Sequence, residues 1–232
     1  MDNLGVLHNR QYAEGVRQFC GRLSNRRGTL PNRRGTLLCV QEHELTSDAG
    51  ASLRRYLAHT GEIDPALLRA CRGLLEVAFE GDLTEADWEH ALGGMHSIIT
   101  DGDVVIGHAS VVQRRMLHRS VAWRAGYVEG VGVHPHWQRQ GVGRLLMAPL
   151  HEIMANAYDL GALSASEAAR CLYDRLGWQR WLGPTSAMTP GGIVATPEED
   201  DGIYVYPCSP AFLEHVDRSA SLCCDWRDGD VW

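Results

Sequence analysis

Tyr127-Val-Glu-Gly-Val-Gly-Val-His-Pro-His-Trp-Gln-Arg-Gln-Gly-Val-Gly-Arg-Leu-Leu146 reads as a strand, a glycine-rich turn and the opening of a helix. The turn, Gln138, Arg139, Gln140, Gly141, Val142 and Gly143, has the form Q-x-x-G-x-G. Glycines there let successive backbone N–H groups converge on one concavity, and the following helix adds the positive end of its dipole. The combination suits a phosphate. A dinucleotide fingerprint requires a third glycine where Leu146 stands, and a Walker motif requires Gly-Lys, so both fail.

The flanks place this stretch in a mixed α/β chain. Asp64 caps a helix that opens with Pro65 and puts Leu67, Leu68, Cys71, Leu74, Leu75 and Ala78 on one face. Thr84 to Leu92 reads as a second helix, stopped by Gly93-Gly94. Strands are predicted at Met95–Thr100, Val104–Leu117 and Trp123–His134, with Asp101-Gly102 as a hairpin turn. A helix over Gly143–Tyr158 buries Leu146, Leu150, Ile153, Met154 and Ala157. Leu163-Ser164 lies on a short strand, Glu167–Leu176 on a helix closed by Gly177, and Ile203–Tyr206 on a last strand. Pro184, Pro190, Gly191-Gly192 and Pro197 mark a long loop that ends in Glu198-Glu-Asp-Asp201.

Residues 1–50 differ. Asn25-Arg-Arg-Gly-Thr-Leu30 recurs as Asn32-Arg-Arg-Gly-Thr-Leu37, and a short Arg-Gly duplication adds little to a packed core. We read 1–50 as an extension and 51–232 as the catalytic domain. All 22 basic residues are arginine, which excludes any chemistry built on lysine. The net charge of −7 is uneven, because residues 1–40 carry seven Arg against Asp2 and Glu14. The acidic remainder suits a cationic partner and disfavours nucleic acid. No apolar run has the length of a membrane helix and no signal peptide opens the chain, which points to the cytoplasm. Seven cysteines without C-x-x-C read as reduced thiols, and His134-x-His136 lacks further metal ligands at suitable spacing, so no metal is expected.

The strand, the turn, the helix, and Ala168-Ala-Arg-Cys-Leu-Tyr173-Asp-Arg-Leu-Gly177-Trp178 together resemble the GNAT superfamily of acyl-CoA-dependent N-acetyltransferases. The resemblance implies a GNAT fold with a mixed central sheet splayed at the cofactor strand. Acetyl-CoA is the implied cosubstrate, with Val131, Gly132 and Val133 along its pantetheine arm and Gln138 to Gly143 around its pyrophosphate. Five further segments are similar to the actinobacterial aminoglycoside 2′-N-acetyltransferases: Phe79-Glu-Gly-Asp-Leu-Thr-Glu-Ala-Asp-Trp-Glu-His-Ala-Leu-Gly-Gly-Met-His96, Gly126-Tyr-Val-Glu-Gly130, Gly161-Ala-Leu-Ser164, Gly183-Pro-Thr-Ser186 and Cys224-Asp-Trp-Arg-Asp-Gly-Asp-Val-Trp232.

That similarity implies a polycationic amino sugar held by Asp82, Glu129, Gly130, Ser164, Asp200, Asp201, Asp230 and the terminal carboxylate of Trp232, with Asp87 a further candidate and few cations nearby. The acidic loop is about one residue longer than the family's, so Glu199, Asp200 and Asp201 compete for two places. It further implies Glu129 as general base or ammonium ligand, a Val131 N–H polarising the thioester carbonyl, Tyr173 as general acid, and a homodimer. A GNAT enzyme acting on another amine, and a non-catalytic acyl-CoA-binding module, are the alternatives.

Overall fold

The computed structural model describes residues 41–232 and the backbone of Arg26–Arg27; the duplicated Arg-Gly motif otherwise lies outside the described residues. Strands are β1 (Arg26–Arg27), β2 (Gln41–Thr46), β3 (Ser52–His59), β4 (Met95–Asp101), β5 (Val104–His118), β6 (Val121–Val133), β7 (Leu160–Ser164), β8 (Gln179–Arg180), β9 (Thr185–Thr189), β10 (Gly192–Ala195), β11 (Ile203–Pro207) and β12 (Leu222–Cys224). Helices are α1 (Pro65–Ala78), α2 (Glu85–His90), α3 (Val142–Ala157), α4 (Arg170–Arg175) and α5 (Pro210–His215).

One sheet carries the fold, in the order β1-β2-β3-β4-β5-β6-β7-β11-β8, with β12 bridging β5 and β9 and β10 paired to β9. Its pairings are antiparallel except β6 with β7 and β9 with β12. Alternation along the strands divides the core between two faces. Ile98 and Val105 pack with Cys71, Leu74 and Leu75 of α1 and with Trp88 of α2. Their neighbours Ile99 and Ile106 pack with Leu146, Leu150 and Met154 of α3. Each of these buried side chains contributes about 1.5–3 kcal/mol. A third cluster, around Trp123, Trp181, Phe212 and Trp232, closes the far end of the sheet.

Local signals in the chain set several boundaries. Asp64 Oδ1 accepts from the Ala66 N–H at 2.7 Å, so α1 begins where its cap and Pro65 dictate. Thr84 and Asp87 form a reciprocal capping box on α2. In α3, Ala157 is exposed rather than part of the core face, which Leu145 and Met147 extend instead.

Three segments differ from the sequence expectation. The Pro- and Gly-rich stretch after Pro184 is not a plain loop, because β9 and β10 form a hairpin there. Thr189 Oγ1 accepts from the Gly191 N–H and donates to the Gly192 carbonyl, which fixes the turn. The helix near Glu167 begins as a 3-10 turn, Glu167–Ala169, before α4. The sheet also takes in β2, inside the stretch read as extension; β2 pairs with β3 over Gln41–Thr46 and buries Leu45. A chain starting at Gln41 keeps the β2–β3 pairing and is expected to melt above one starting at Ala51. One starting at Ala51 should lose at least about 2 kcal/mol, because Leu45 leaves the core. Urea titrations of the two truncations, compared with the full chain, check this.

Candidate active site

The site forms where β6 parts from β7. The two strands pair only from Ala125 to Tyr127 opposite Leu160 to Ala162, while β11 pairs with the other edge of β7 along Leu160–Ser164. Among the described residues, no strand pairs with 128–133 of β6 on that edge, although β5 holds them on the other. The β5 register shifts at the same place: Gly132 opposes His108 and Glu129 opposes Ser110, leaving Gly130 and Val131 as the bulge. Gly130 sits at φ +54°, which a side chain would strain.

Beyond the strand, the chain turns through Arg139 at φ +60° and Gly141 at φ +81° into α3. The helix has no side-chain N-cap, so its first amides take no acceptor from the capping residue. A Cβ on Gly141 would collide with the Asp48 carboxylate. Asp48 comes from the β2–β3 turn, accepts from Arg144 at 2.8 Å and donates its own N–H to the Gln140 carbonyl at 3.1 Å. A turn with glycine at 141 and 143 leading into a sixteen-residue helix without a side-chain N-cap fits a pyrophosphate. The open edge of 128–133 fits the amide-bearing arm of an acyl-CoA, which pairs like a strand.

A cavity of about 260 Å³ adjoins the bulge. Glu129, Gly130, Val131, Ser164, Tyr173, Asp230 and Trp232 line it, joined by Tyr127, Asp87 and Arg227. Thus Glu129, Tyr173 and Val131, from the strand and helix motifs, meet Asp230 and Trp232 from the end of the chain. Val133, Gln138, Arg139, Gln140, Gly141, Val142 and Gly143 are not in its wall, and neither is Gly132.

The acidic residues divide into two groups. Asp82 is exposed and away from the cavity wall. Asp200 Oδ1 accepts from the N–H and hydroxyl of Thr185, at 2.7 and 2.9 Å, and Asp201 pairs with Arg180 at 3.2 Å. Of the three competing acids none lines the cavity, but Glu199 is bonded to a residue that does. It accepts from the Ser164 hydroxyl at 3.4 Å, and its pKa is raised by burial and by the nearby Asp230.

Arg227 is the main element that the sequence reading missed. Its guanidinium is bonded to the Glu129 carboxylate, donates to the Asp230 carbonyl at 2.8 Å, and donates to the Trp232 main-chain oxygen at 2.5 Å. It also lies 5.3 Å from the centre of the Tyr127 ring, with Arg114 at 4.8 Å. The Tyr127 hydroxyl is buried without a protein partner. Burial raises the pKa of Glu129, while Arg227 pulls the other way. Burial alone pushes the Tyr173 phenol well above its ordinary value, so it stays protonated and able to donate. The only signal for Arg227 in the sequence is its position as the lone cation among Asp225, Asp228 and Asp230.

Among the described residues, no three or more His, Cys, Asp and Glu side chains gather as a metal site would need. No helix there is long and apolar enough to cross a membrane.

A strand opened beside an uncapped, glycine-led helix, with a carboxylate and a phenol in the adjoining cavity, defines an acyl-CoA N-acetyltransferase of the GNAT type. The Acetyltransferase (GNAT) domain family matches residues 62–181. In overall fold the chain is similar to a GNAT family N-acetyltransferase (YhbS) from Escherichia coli, solved in complex with CoA. The TM-score is 0.53 at 16% identity, over 76% of this chain and 91% of that one. It is 49% identical to an aminoglycoside 2′-N-acetyltransferase of Mycolicibacterium fortuitum over 177 residues, 76% of this chain and 90% of that protein. The chain belongs to the aminoglycoside 2′-N-acetyltransferase family.

Proposed function

We propose that the protein transfers the acetyl group of acetyl-CoA to the 2′-amino group of aminoglycosides, and so confers resistance to them. One observation carries the reading: Glu129 and Asp230 line the cavity beside the Gly130–Val131 bulge, with Glu199 behind them on the Ser164 hydroxyl and within reach of the Asp230 charge, a setting for a polyamine beside a thioester.

The chemistry follows from proton accounting. An alkylamine arrives mostly protonated, and only the neutral amine attacks a thioester carbon. Glu129 accepts the ammonium proton, directly or through water. The Val131 N–H stabilises the charge that develops on the carbonyl oxygen. As the C–N bond forms and the C–S bond breaks, Tyr173 gives its proton to the departing sulfur, and the second proton lost by the nitrogen passes through solvent to restore the phenol, while the first leaves Glu129 for bulk water. Acetyl-CoA supplies the activated acyl group; every other step belongs to the chain and the acceptor. Arg227 fills the cationic place while no acceptor is present. An incoming ammonium competes with it for Glu129, leaving Arg227 on the Asp230 carbonyl and the Trp232 oxygen.

We further place the protein in the cytoplasm, where acetyl-CoA is made, as a homodimer without nucleic-acid or membrane partners. NMR of gentamicin incubated with enzyme and acetyl-CoA is expected to show acetylation at the 2′ nitrogen. Faster transfer to peptides or simple amines would overturn the assignment.

A further inference from the structure

Two buried histidines lie behind the bulge, and the chemistry above does not use them. Among the described contacts, His108 Nδ1 is 2.7 Å from the Gly130 carbonyl, His96 Nδ1 is 2.9 Å from His108 Nε2, and the Thr60 hydroxyl is 2.7 Å from His96 Nε2. Thr60 Oγ1 in turn accepts from the Gly93 N–H at 2.8 Å and has two acceptors for its one proton, the Gly94 carbonyl at 3.2 Å and the nearer His96 Nε2. These partners fix every proton. A carbonyl only accepts, so His108 carries its proton on Nδ1, and its Nε2 must then accept from His96 Nδ1–H. His96 Nε2 is left to accept from Thr60. Both rings are fully buried, and burial holds their pKa values at about 3 for His96 and about 4 for His108, so both are neutral.

The result is one directional chain: Gly93 N–H to Thr60, Thr60 to His96, His96 to His108, His108 to the Gly130 carbonyl. Hydrogen bonds aligned head to tail polarise one another. The last acceptor shares its peptide unit with the Val131 N–H, the donor assigned to the thioester oxygen. Pulling electron density onto the Gly130 oxygen strengthens that N–H as a donor, and anchoring the carbonyl fixes where the N–H points.

We propose that His108, backed by His96 and Thr60, is a positioning residue that sets the orientation and donor strength of the Val131 N–H through the Gly130–Val131 peptide. The inference rests on the acetyl-transfer reading. A space-filling role alone would be indifferent to which nitrogen bears the proton.

The test uses full-length protein and the variants His108→Phe, His108→Asn and Thr60→Val. Asn keeps an N–H donor near the place of Nδ1, and Phe keeps volume without it. Two quantities are read: steady-state acetylation of gentamicin, and the infrared carbonyl stretch of bound 13C-acetyl-CoA without acceptor. An oxyanion donor supplies about 10²–10³ in rate, and one aligned bond strengthens its neighbour by about 10–30%. His108→Phe is therefore expected to lose about two- to eightfold in kcat with KM for acetyl-CoA unchanged, and the stretch should move toward its value in solution. His108→Asn should recover most of both effects.

Unchanged kcat and stretch in His108→Phe overturn the proposal, as does His108→Asn impaired as fully as the Phe variant. Should His108→Phe fail to fold, Thr60→Val decides: a smaller shift of the stretch in the same direction supports the relay, and none overturns it. If the wild-type protein acetylates no aminoglycoside, the function assigned above fails, while the infrared comparison still decides the relay.

Discussion

Glu129→Gln is expected to lower kcat/KM for an aminoglycoside by about 10²–10⁴, the usual worth of a positioned general base. Gln fills the same volume and accepts one bond from Arg227, so the loss reports proton transfer more than packing. The pH profile separates the two roles weighed for this residue. As a base, Glu129 gives the wild-type enzyme an acid limb lying above the ordinary carboxylate range, since burial raises its pKa. That limb should vanish in Glu129→Gln. It should move to still higher pH in Arg227→Met, which removes the charge that favours the ionised carboxylate. An ammonium ligand without a proton-transfer role predicts a raised KM and an unaltered limb. Far-ultraviolet spectra and melting curves of both variants guard against misfolding, because either change leaves one member of a buried pair alone.

Acidification to pH 4.5 is expected to cost the fold about 7 kcal/mol, mostly through three histidines. His96, His108 and His151 are held at about 3, about 4 and about 4 by burial, against 6.5 in the unfolded chain. Above pH 6.5 they are neutral in both states and contribute no pH dependence. Below it the unfolded chain binds their protons and the native protein does not, so stability falls as pH drops from 6.5 towards 4. Each ring accounts for about 2–3 kcal/mol by pH 4.5, a sum comparable with the 5–15 kcal/mol that holds a typical domain. Glu129 and Glu199, with raised pKa values, act in the opposite sense: the native state takes up their protons first, which offsets part of the loss. Urea midpoints at pH 7.0 and 4.5 measure the net effect. His108→Phe should show a shallower fall, and an equal fall would remove the histidines as its cause.

What the sequence revealed was mostly local. Asp64 with Pro65, the Thr84 box, the Gly141 turn and the apolar face of α3 are each specified within one or two turns of chain, and the structure has them there. Of the strands that were missed, β2, β9 and β10 lack such signals. β2, Gln-Glu-His-Glu-Leu-Thr, offers Leu45 as its only aliphatic residue and becomes a strand by pairing with β3. β9 and β10 lie between prolines that read as loop, yet β12 pairs with β9 along its length and holds the hairpin in the sheet.

The site shows the same division. Glu129 and Tyr173 were legible because motifs carry them, and both line the cavity. Arg227 was not, because its meaning depends on Glu129, distant in sequence and brought near only when the chain after β12 returns across the sheet. The His96–His108 contact was equally hidden: the two residues sit on neighbouring strands but not opposite each other, since His96 opposes Ser110 and His108 opposes Ile98. None of Glu199, Asp200 and Asp201 lines the cavity: Thr185 holds Asp200 through its N–H and hydroxyl, Arg180 pairs with Asp201, and Glu199 reaches Ser164, a wall residue.

The gap between β6 and β7 gives the cosubstrate an architectural share in the protein. In the binding mode proposed above, an acyl-CoA along residues 128–133 supplies a further sheet member, so its binding is also a folding term. Saturation at about a hundred times the dissociation constant adds about 2.7 kcal/mol to the native state. The protein's resistance to proteolysis, and with it its abundance, should then follow the cell's acetyl-CoA supply: a starved cell would lose enzyme as well as substrate.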